Sequence, residues 1–253
     1  MEVLDTVNLY VSSIAPEATL ANNNSRLTIN LNSPIIVPKY GKCRVLSSTL
    51  WYDTPNIEAP NNGITFTYAG TVYNFVLADG LYSVSDISER IKELLENASL
   101  PPNLFELVAD EATSKLSLKI NQGASNFLMN MDLDNPIFKD ILGFTGILIV
   151  LGSSVPTWYE ATNKAKINKI NSVLVHCSFA SGSVLNGNSG ADIISEIHLN
   201  SEPNNQIITK DIHPSVHRVT ETQIDSFTIF LTTEDGFTPI KTNEPWTLTI
   251  ELF

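Results

Sequence analysis

At 253 residues with 43% apolar side chains, the chain can bury the core of one large β domain or two smaller ones. Its 27 acidic against 15 basic residues leave a net charge of −12, which disfavours a phosphate-backbone partner, since that calls for clustered cations. The opening run Met1-Glu2-Val3-Leu4-Asp5 is acidic and lacks an apolar core, so no secretory signal and a reducing folding compartment are expected.

The first sixty residues alternate strand-like runs with turn-rich loops. Val7, Leu9 and Val11 share one face, and Asn22-Asn23-Asn24-Ser25 reads as a polar loop. Leu27, Ile29 and Leu31 alternate with Thr28 and Asn30, and a third strand runs from Cys43 to Tyr52.

The pattern changes after residue 60. Asn62-Gly63 signals a hairpin turn, and Thr71 to Leu77 reads as a strand. Ser83 and Asp86 form a capping pair ahead of Val84, Ile87, Ile91, Leu94 and Leu95 at helical spacing, and Pro101-Pro102 stops the run. Leu104–Val108 and Lys115–Ile120 read as paired strands. Asn135-Pro136 followed by Gly143 predicts a short helix with Asn135 as its N-cap. The run Ile147 to Leu151 is too short to span a bilayer, and reads as a buried strand or an apolar loop covered by a neighbouring subunit.

From Ile167 the β pattern resumes. Strands are expected over Ile170–Phe179, Ile193–Leu199 and Val216–Val219, with a Gly/Asn/Ser loop over Ser181–Gly190. Ile224–Leu231 is apolar on much of both faces, and Glu234-Asp235-Gly236 supplies a turn. The last run places Trp246, Leu248, Ile250 and Leu252 on one face against Thr247, Thr249 and Glu251. The expected fold is mainly β: an eight-stranded antiparallel jelly-roll sandwich interrupted by an inserted α/β module. Residues 1–60 and 164–253 form the discontinuous sandwich domain, and residues 61–163 form the insertion.

This layout resembles the minor capsid, or penton, proteins of virophages, polinton-like viruses and adintovirus-type elements, within the double-jelly-roll capsid lineage. The likeness is carried by the order of short motifs. Leu9-Tyr10-Val11-Ser12-Ser13 precedes a polar loop, and Gly70-Thr71-Val72-Tyr73-Asn74-Phe75-Val76-Leu77 runs into Gly80-Leu81-Tyr82-Ser83 and the helix. Leu142-Gly143-Phe144 closes the module, Ile170 to Ser178 follows it, and Ile224 to Phe253 is the best match. The run Ile147 to Leu151 departs from it by being more apolar. The resemblance implies a structural protein of the virion, made and assembled inside the host cell. It implies no enzyme, catalytic residue or cofactor. Its expected partners are itself, as a homopentamer at an icosahedral vertex, and the surrounding trimeric major capsid protein, with no direct nucleic-acid contact and no membrane span.

Other chemistry is sparse. Cys43 and Cys177 lie in strand-like runs as buried free thiols or a disulfide. His213 and His217 are four apart, but Pro214 and Val216 argue against the helix that would aim both at one metal. His176 and His198 read as sheet histidines. Asp132/Asp134 and Glu234/Asp235 fit turn or helix-start roles better than calcium or acid–base sites. Trp158 and Tyr159 are open to core packing, subunit contact or sugar stacking. An alternative function for the same fold is a glycan- or receptor-binding jelly roll; a cupin-type enzyme would need two or three histidines facing inward.

Overall fold

The computed structural model describes residues 6–15, 18–21, 24–110, 113–121, 126–151, 155–167, 170–185, 188–201, 204–210 and 212–253. The acidic run 1–5 and Asn22-Asn23 of the expected polar loop lie outside these. In chain order the first strands are β1 (Val7–Ser12), β2 (Ala18–Ala21), β3 (Arg26–Ile36) and β4 (Lys42–Trp51). Next come β5 (Gly63–Tyr68), β6 (Thr71–Val76), helix α1 (Val84–Asn97), β7 (Phe105–Asp110), β8 (Lys115–Ile120) and β9 (Phe127–Asn130). A π-helical turn (Ile137–Ile141) leads to β10 (Ile147–Val150) and β11 (Thr157–Glu160). The remaining strands are β12 (Ser172–Cys177), β13 (Ala180–Ser181), β14 (Ser183–Leu185), β15 (Asn188–Ala191) and β16 (Ile193–His198), then β17 (Gln206–Lys210), β18 (His217–Val219), β19 (Gln223–Thr233) and β20 (Thr247–Leu252). Contacts divide the chain into two compact units, Met1–Thr54 with Ile170–Phe253, and Pro55–Lys169.

The first unit is a jelly-roll-type sandwich of two antiparallel sheets. One is ordered β1-β20-β4-β18-β13 with β17 also on β4, the other β16-β12-β19-β3-β2. The described residues thus give six and five strands plus the hairpin β14-β15, where alternation in the sequence predicted eight in all. The extra strands are two to five residues long, too short to show a period of their own. The hairpin also replaces part of the loop expected over 181–190.

β20 buries Leu248, Ile250 and Leu252 on one face, as alternation predicts. Trp246, just before it, is buried, and its indole Nε1 donates to the Asn24 carbonyl at 2.7 Å. Its backbone N–H donates to Ser13 Oγ at 3.0 Å while Ser13 N–H returns a bond to Trp246 O at 3.0 Å. β19 does not pair with β20; it lies in the other sheet, between β12 and β3. A register shift between Ile224 and Ser226 lets Ile224 and Phe227, three residues apart, both reach the interior.

The second unit holds the sheet β10-β9-β5-β6, the sheet β11-β8-β7 and α1 around one core. Ser83 caps α1 as expected. Its Oγ accepts from Asp86 N–H at 3.2 Å; its hydroxyl, at 2.7 Å, and its own N–H, at 2.8 Å, donate to Asp86 Oδ2 and hold that carboxyl below the usual range. Ile87, Ile91 and Leu95 form the buried stripe. Phe66 is the aromatic hub, 5.4 Å from Tyr73, 5.3 Å from Phe75, 5.2 Å from Phe105 and 5.6 Å from Phe127 between ring centroids.

Two local expectations are corrected. The β5–β6 turn is Ala69-Gly70, with φ of 49° and 82°, rather than Asn62-Gly63. Asn62 instead closes the far end of that hairpin, its Nδ2 donating to Leu77 O at 2.8 Å and its carbonyl accepting from Leu77 N–H at 2.9 Å. Asn135 makes no side-chain cap; its amide turns inward, accepting from Thr65 N–H at 2.7 Å and donating to Thr65 O at 2.8 Å and Asn130 O at 2.7 Å. β5 and β9 are paired only at Thr67 and Leu128. The buried amide therefore supplies the next rung of that ladder, a stronger demand than a helix cap.

Asn135→Ala strands three half-buried backbone groups and should cost about 3 kcal/mol of stability. Trp246→Ala, which removes a buried indole and its hydrogen bond, should cost about 4 kcal/mol. Urea unfolding measures both against Phe237→Ala, whose exposed ring should matter by under about 0.5 kcal/mol.

Candidate interaction surfaces

The described residues contain one hydroxyl–imidazole–carboxylate alignment. His176 on β12 has Nδ1 2.7 Å from Asp192 Oδ1 and Nε2 2.9 Å from Thr232 Oγ1 on β19. That order resembles a nucleophile, base and orienting acid, but Thr232 is 1% exposed and His176 3%. The imidazole also stacks on Phe230 with centroids 4.1 Å apart. No substrate reaches the hydroxyl, so the arrangement serves as a satisfied polar tie within the sheet. Sequence reasoning identified a sheet histidine but not its partners, which stand 16 and 56 residues away.

The other histidines do not converge. His213 and His198 are exposed, and His217 on β18 is half-buried with Nδ1 3.3 Å from Ser183 Oγ. Burial pulls the His217 pKa down, against an opposing bond from the Ile194 backbone. Among the described residues, no three His, Cys, Asp or Glu side chains are grouped to hold a metal ion. Cys43 and Cys177 are free and buried, close enough for charge on one to oppose charge on the other. Burial pushes the Cys43 thiol up to about 12 and raises Cys177 well above its ordinary value, so neither is a nucleophile at neutral pH.

Three of the four acidic residues at 132–134 and 234–235, Asp132, Glu234 and Asp235, accept from backbone amides. Asp132 Oδ2 accepts from Gly146 N–H at 2.9 Å. Burial would raise Glu234, but bonds from Asn171 N–H at 3.1 Å and Ser172 N–H at 3.3 Å outweigh it and hold the carboxyl below its usual range. Asp235 is held far below by the Thr238 hydroxyl at 2.6 Å and the amides of Thr238 at 2.8 Å and Phe237 at 2.7 Å.

The residues expected at a subunit contact point in different directions. Trp158 on β11 is 55% exposed, with Lys119 Nζ 5.6 Å from its ring centroid. Tyr159 is half-buried, donates its hydroxyl to Thr145 O and stacks on Phe144 at 6.0 Å. The apolar run at 147–151 is neither wholly buried nor a loop. It forms edge strand β10, with Leu148 and Val150 inward and Ile147 and Ile149 outward. Across the sheet, Ile149 lies opposite Leu128, Leu128 opposite Thr67, and Thr67 opposite Val72. Leu128, Val72, Ile147 and Ile149 are all exposed, leaving an apolar row on the outer face.

Because the Glu234 and Asp235 carboxyls sit below their unfolded values near 4, their contribution is full above that pH and lost as pH falls through the folded values. Asp235→Ala should therefore lower stability by about 1 kcal/mol at pH 7. Thermal melts across pH should show the gap between the two proteins narrowing below about pH 4.

No protein-family model matches the chain, and no curated protein matches it. Among solved structures, the chain is similar to the mavirus penton protein in its selenomethionine form, at 12% identity and a TM-score of 0.51, over 98% of this chain and 99% of that one. A chain of the Sputnik virophage, solved by cryo-electron microscopy, aligns at 12% identity and a TM-score of 0.43, over 99% of this chain and 98% of that one. The chain thus has the fold of the mavirus penton protein over nearly its whole length.

Proposed function

We propose that the protein is a structural component of a virion, a penton that forms a ring at the icosahedral vertex. The observation that carries this reading is the end-to-end fold likeness to the mavirus penton protein, which spans both compact units rather than a shared sandwich alone. The discontinuous sandwich and the inserted unit act as separate domains, and the inserted unit carries the candidate contact residues. Five copies close the ring and contact the major capsid protein, inside the host cell. In a cyclic ring each interface is heterologous, so one face of the protein meets a different face of its neighbour.

The surface chemistry supports assembly over catalysis. The one triad-like alignment among the described residues is closed to solvent, whereas exposed side chains include Trp158 and the row Ile147, Ile149, Leu128 and Val72. Trp158 offers a large rigid anchor, and aromatic anchors dominate the energy of many interfaces. Tyr159 supports it from beneath by fixing β11 to Thr145.

Mass photometry of the purified protein should give a species at five times the chain mass, and negative-stain images should show rings. A strict monomer at high concentration overturns the reading. Trp158→Ala should leave the fold and melting point intact while weakening self-association about thirtyfold, the effect of losing about 2 kcal/mol at an anchor.

A further inference from the structure

With nearly two acidic groups for every basic one, the cheapest place for an ammonium or guanidinium group on this protein is beside a carboxylate. Arg44, Arg90, Lys115 and Lys119 follow that rule, pairing with Glu251, Glu93, Glu160 and Glu106. Lys39, Lys42, Lys92, Lys210, Arg26 and Arg218 have no ion-pair partner among the described residues, and neither do Lys139, Lys164 and Lys166, whose grouping is what sets them apart. All three line one hollow of about 500 Å³ in the second unit, with Gly143, Thr145, Asn163 and Asp140. None of their ammonium groups makes an ion pair with a described residue. Asp140 is the one carboxylate among these lining residues, and Lys166 also lines a neighbouring hollow that holds Glu58.

The backbone that carries these lysines is held in place. Lys139 sits on the π-helical turn, and Lys166 N–H donates to Ile141 O at 2.6 Å. Asn163 N–H donates to Gly143 O at 2.9 Å, and Ala165 N–H donates to Ser114 O at 3.2 Å. Gly143, at φ +81°, lets the two segments approach; a Cβ there would collide with the Asn163 carbonyl. The hollow therefore presents its charges from a fixed frame. Thr145 adds a hydroxyl, paired with Thr162 at 2.9 Å.

We propose that this hollow binds a small multiply charged oxyanion, a molecule bearing two or more sulfate-ester or phosphate-ester groups. Lysine recognises such groups as a point charge with three donors. A hollow of about 500 Å³ exceeds a lone sulfate or phosphate ion and suits a compact scaffold that carries several. Uncompensated, the three ammonium groups repel one another; the ligand removes that cost, so affinity should fall steeply with ionic strength. The remainder of the surface carries net negative charge, which disfavours the same ligand elsewhere. This inference stands apart from the ring reading.

The test is calorimetric titration of the full-length protein, in whatever oligomeric state it adopts, with inositol hexakisphosphate and with a heparin-derived tetrasaccharide. The desulfated tetrasaccharide is the control. One site per chain is expected for at least one polyanion, weakening with added salt, and none for the control. Binding of the phosphate compound alone assigns phosphate esters, of the saccharide alone sulfate esters, and of both the shared chemistry. The triple variant K139Q/K164Q/K166Q should bind at least about tenfold more weakly. K139R/K164R/K166R should stay within about threefold, and K92Q on α1 should match the parent. No binding of either polyanion, or undiminished binding by the triple glutamine variant, overturns the proposal.

Discussion

The sandwich depends on β4 offering a hydrogen-bonding edge on each side. One edge pairs with β20 from Lys42's neighbour Cys43 to Thr49, and β20 in turn pairs with β1. The opposite edge is shared by two short strands, β18 at Lys42 and Cys43 and β17 from Ser47 to Trp51. A buried strand must satisfy every backbone donor and acceptor, so β4 cannot form this sheet until segments from both ends of the chain reach it. Trp246 fastens the approach, since its bonds to Ser13 and Asn24 fix where β20 begins.

The second unit meets the same demand with side-chain amides. Where β5 and β9 separate, Asn135 fills the missing rung, and Asn56 does the equivalent for the loops around it. Asn56 Nδ2 donates to Tyr82 O at 2.8 Å and Ile167 O at 3.0 Å, while its Oδ1 accepts from Tyr82 N–H at 2.9 Å. Both amides are buried and fully used, which gives them a purely structural role. The aromatic cluster around Phe66 supplies the apolar energy that makes such buried polar groups affordable.

Function follows from what these constraints leave exposed. The chemically suggestive groups, His176 with Thr232 and the two thiols, are consumed by the interior. Left at the surface are an indole, a row of aliphatic side chains along one sheet face and a trio of lysines with no ion-pair partner among the described residues. Groups of this kind suit binding and assembly. Asp235 holds its own turn as the sequence suggests, whereas Glu234 ties that turn to Asn171 and Ser172 at the start of β12.

Local chemistry was readable wherever neighbours in sequence are neighbours in space. The capping pair Ser83 and Asp86, the stripe Ile87, Ile91 and Leu95, and the alternation of β20 all appear as expected, because period and capping need only a few consecutive residues. The turn at Ala69-Gly70 was hidden because alanine seldom takes positive φ, and the packed strands around it impose that conformation. Asn135 carried a helix-cap signal, yet the unpaired groups of Thr65, seventy residues away, claimed its amide. Likewise, nothing near position 176 announces Asp192 or Thr232, and nothing near Lys139 announces Lys164 and Lys166. The sequence alone determined a mainly β chain, its helix and its alternating faces; the tertiary structure decided which strands share a sheet, which polar groups are spent and which charges stand unpaired. The reason is that those outcomes turn on hydrogen-bond and charge partners brought together only when distant segments close on one another.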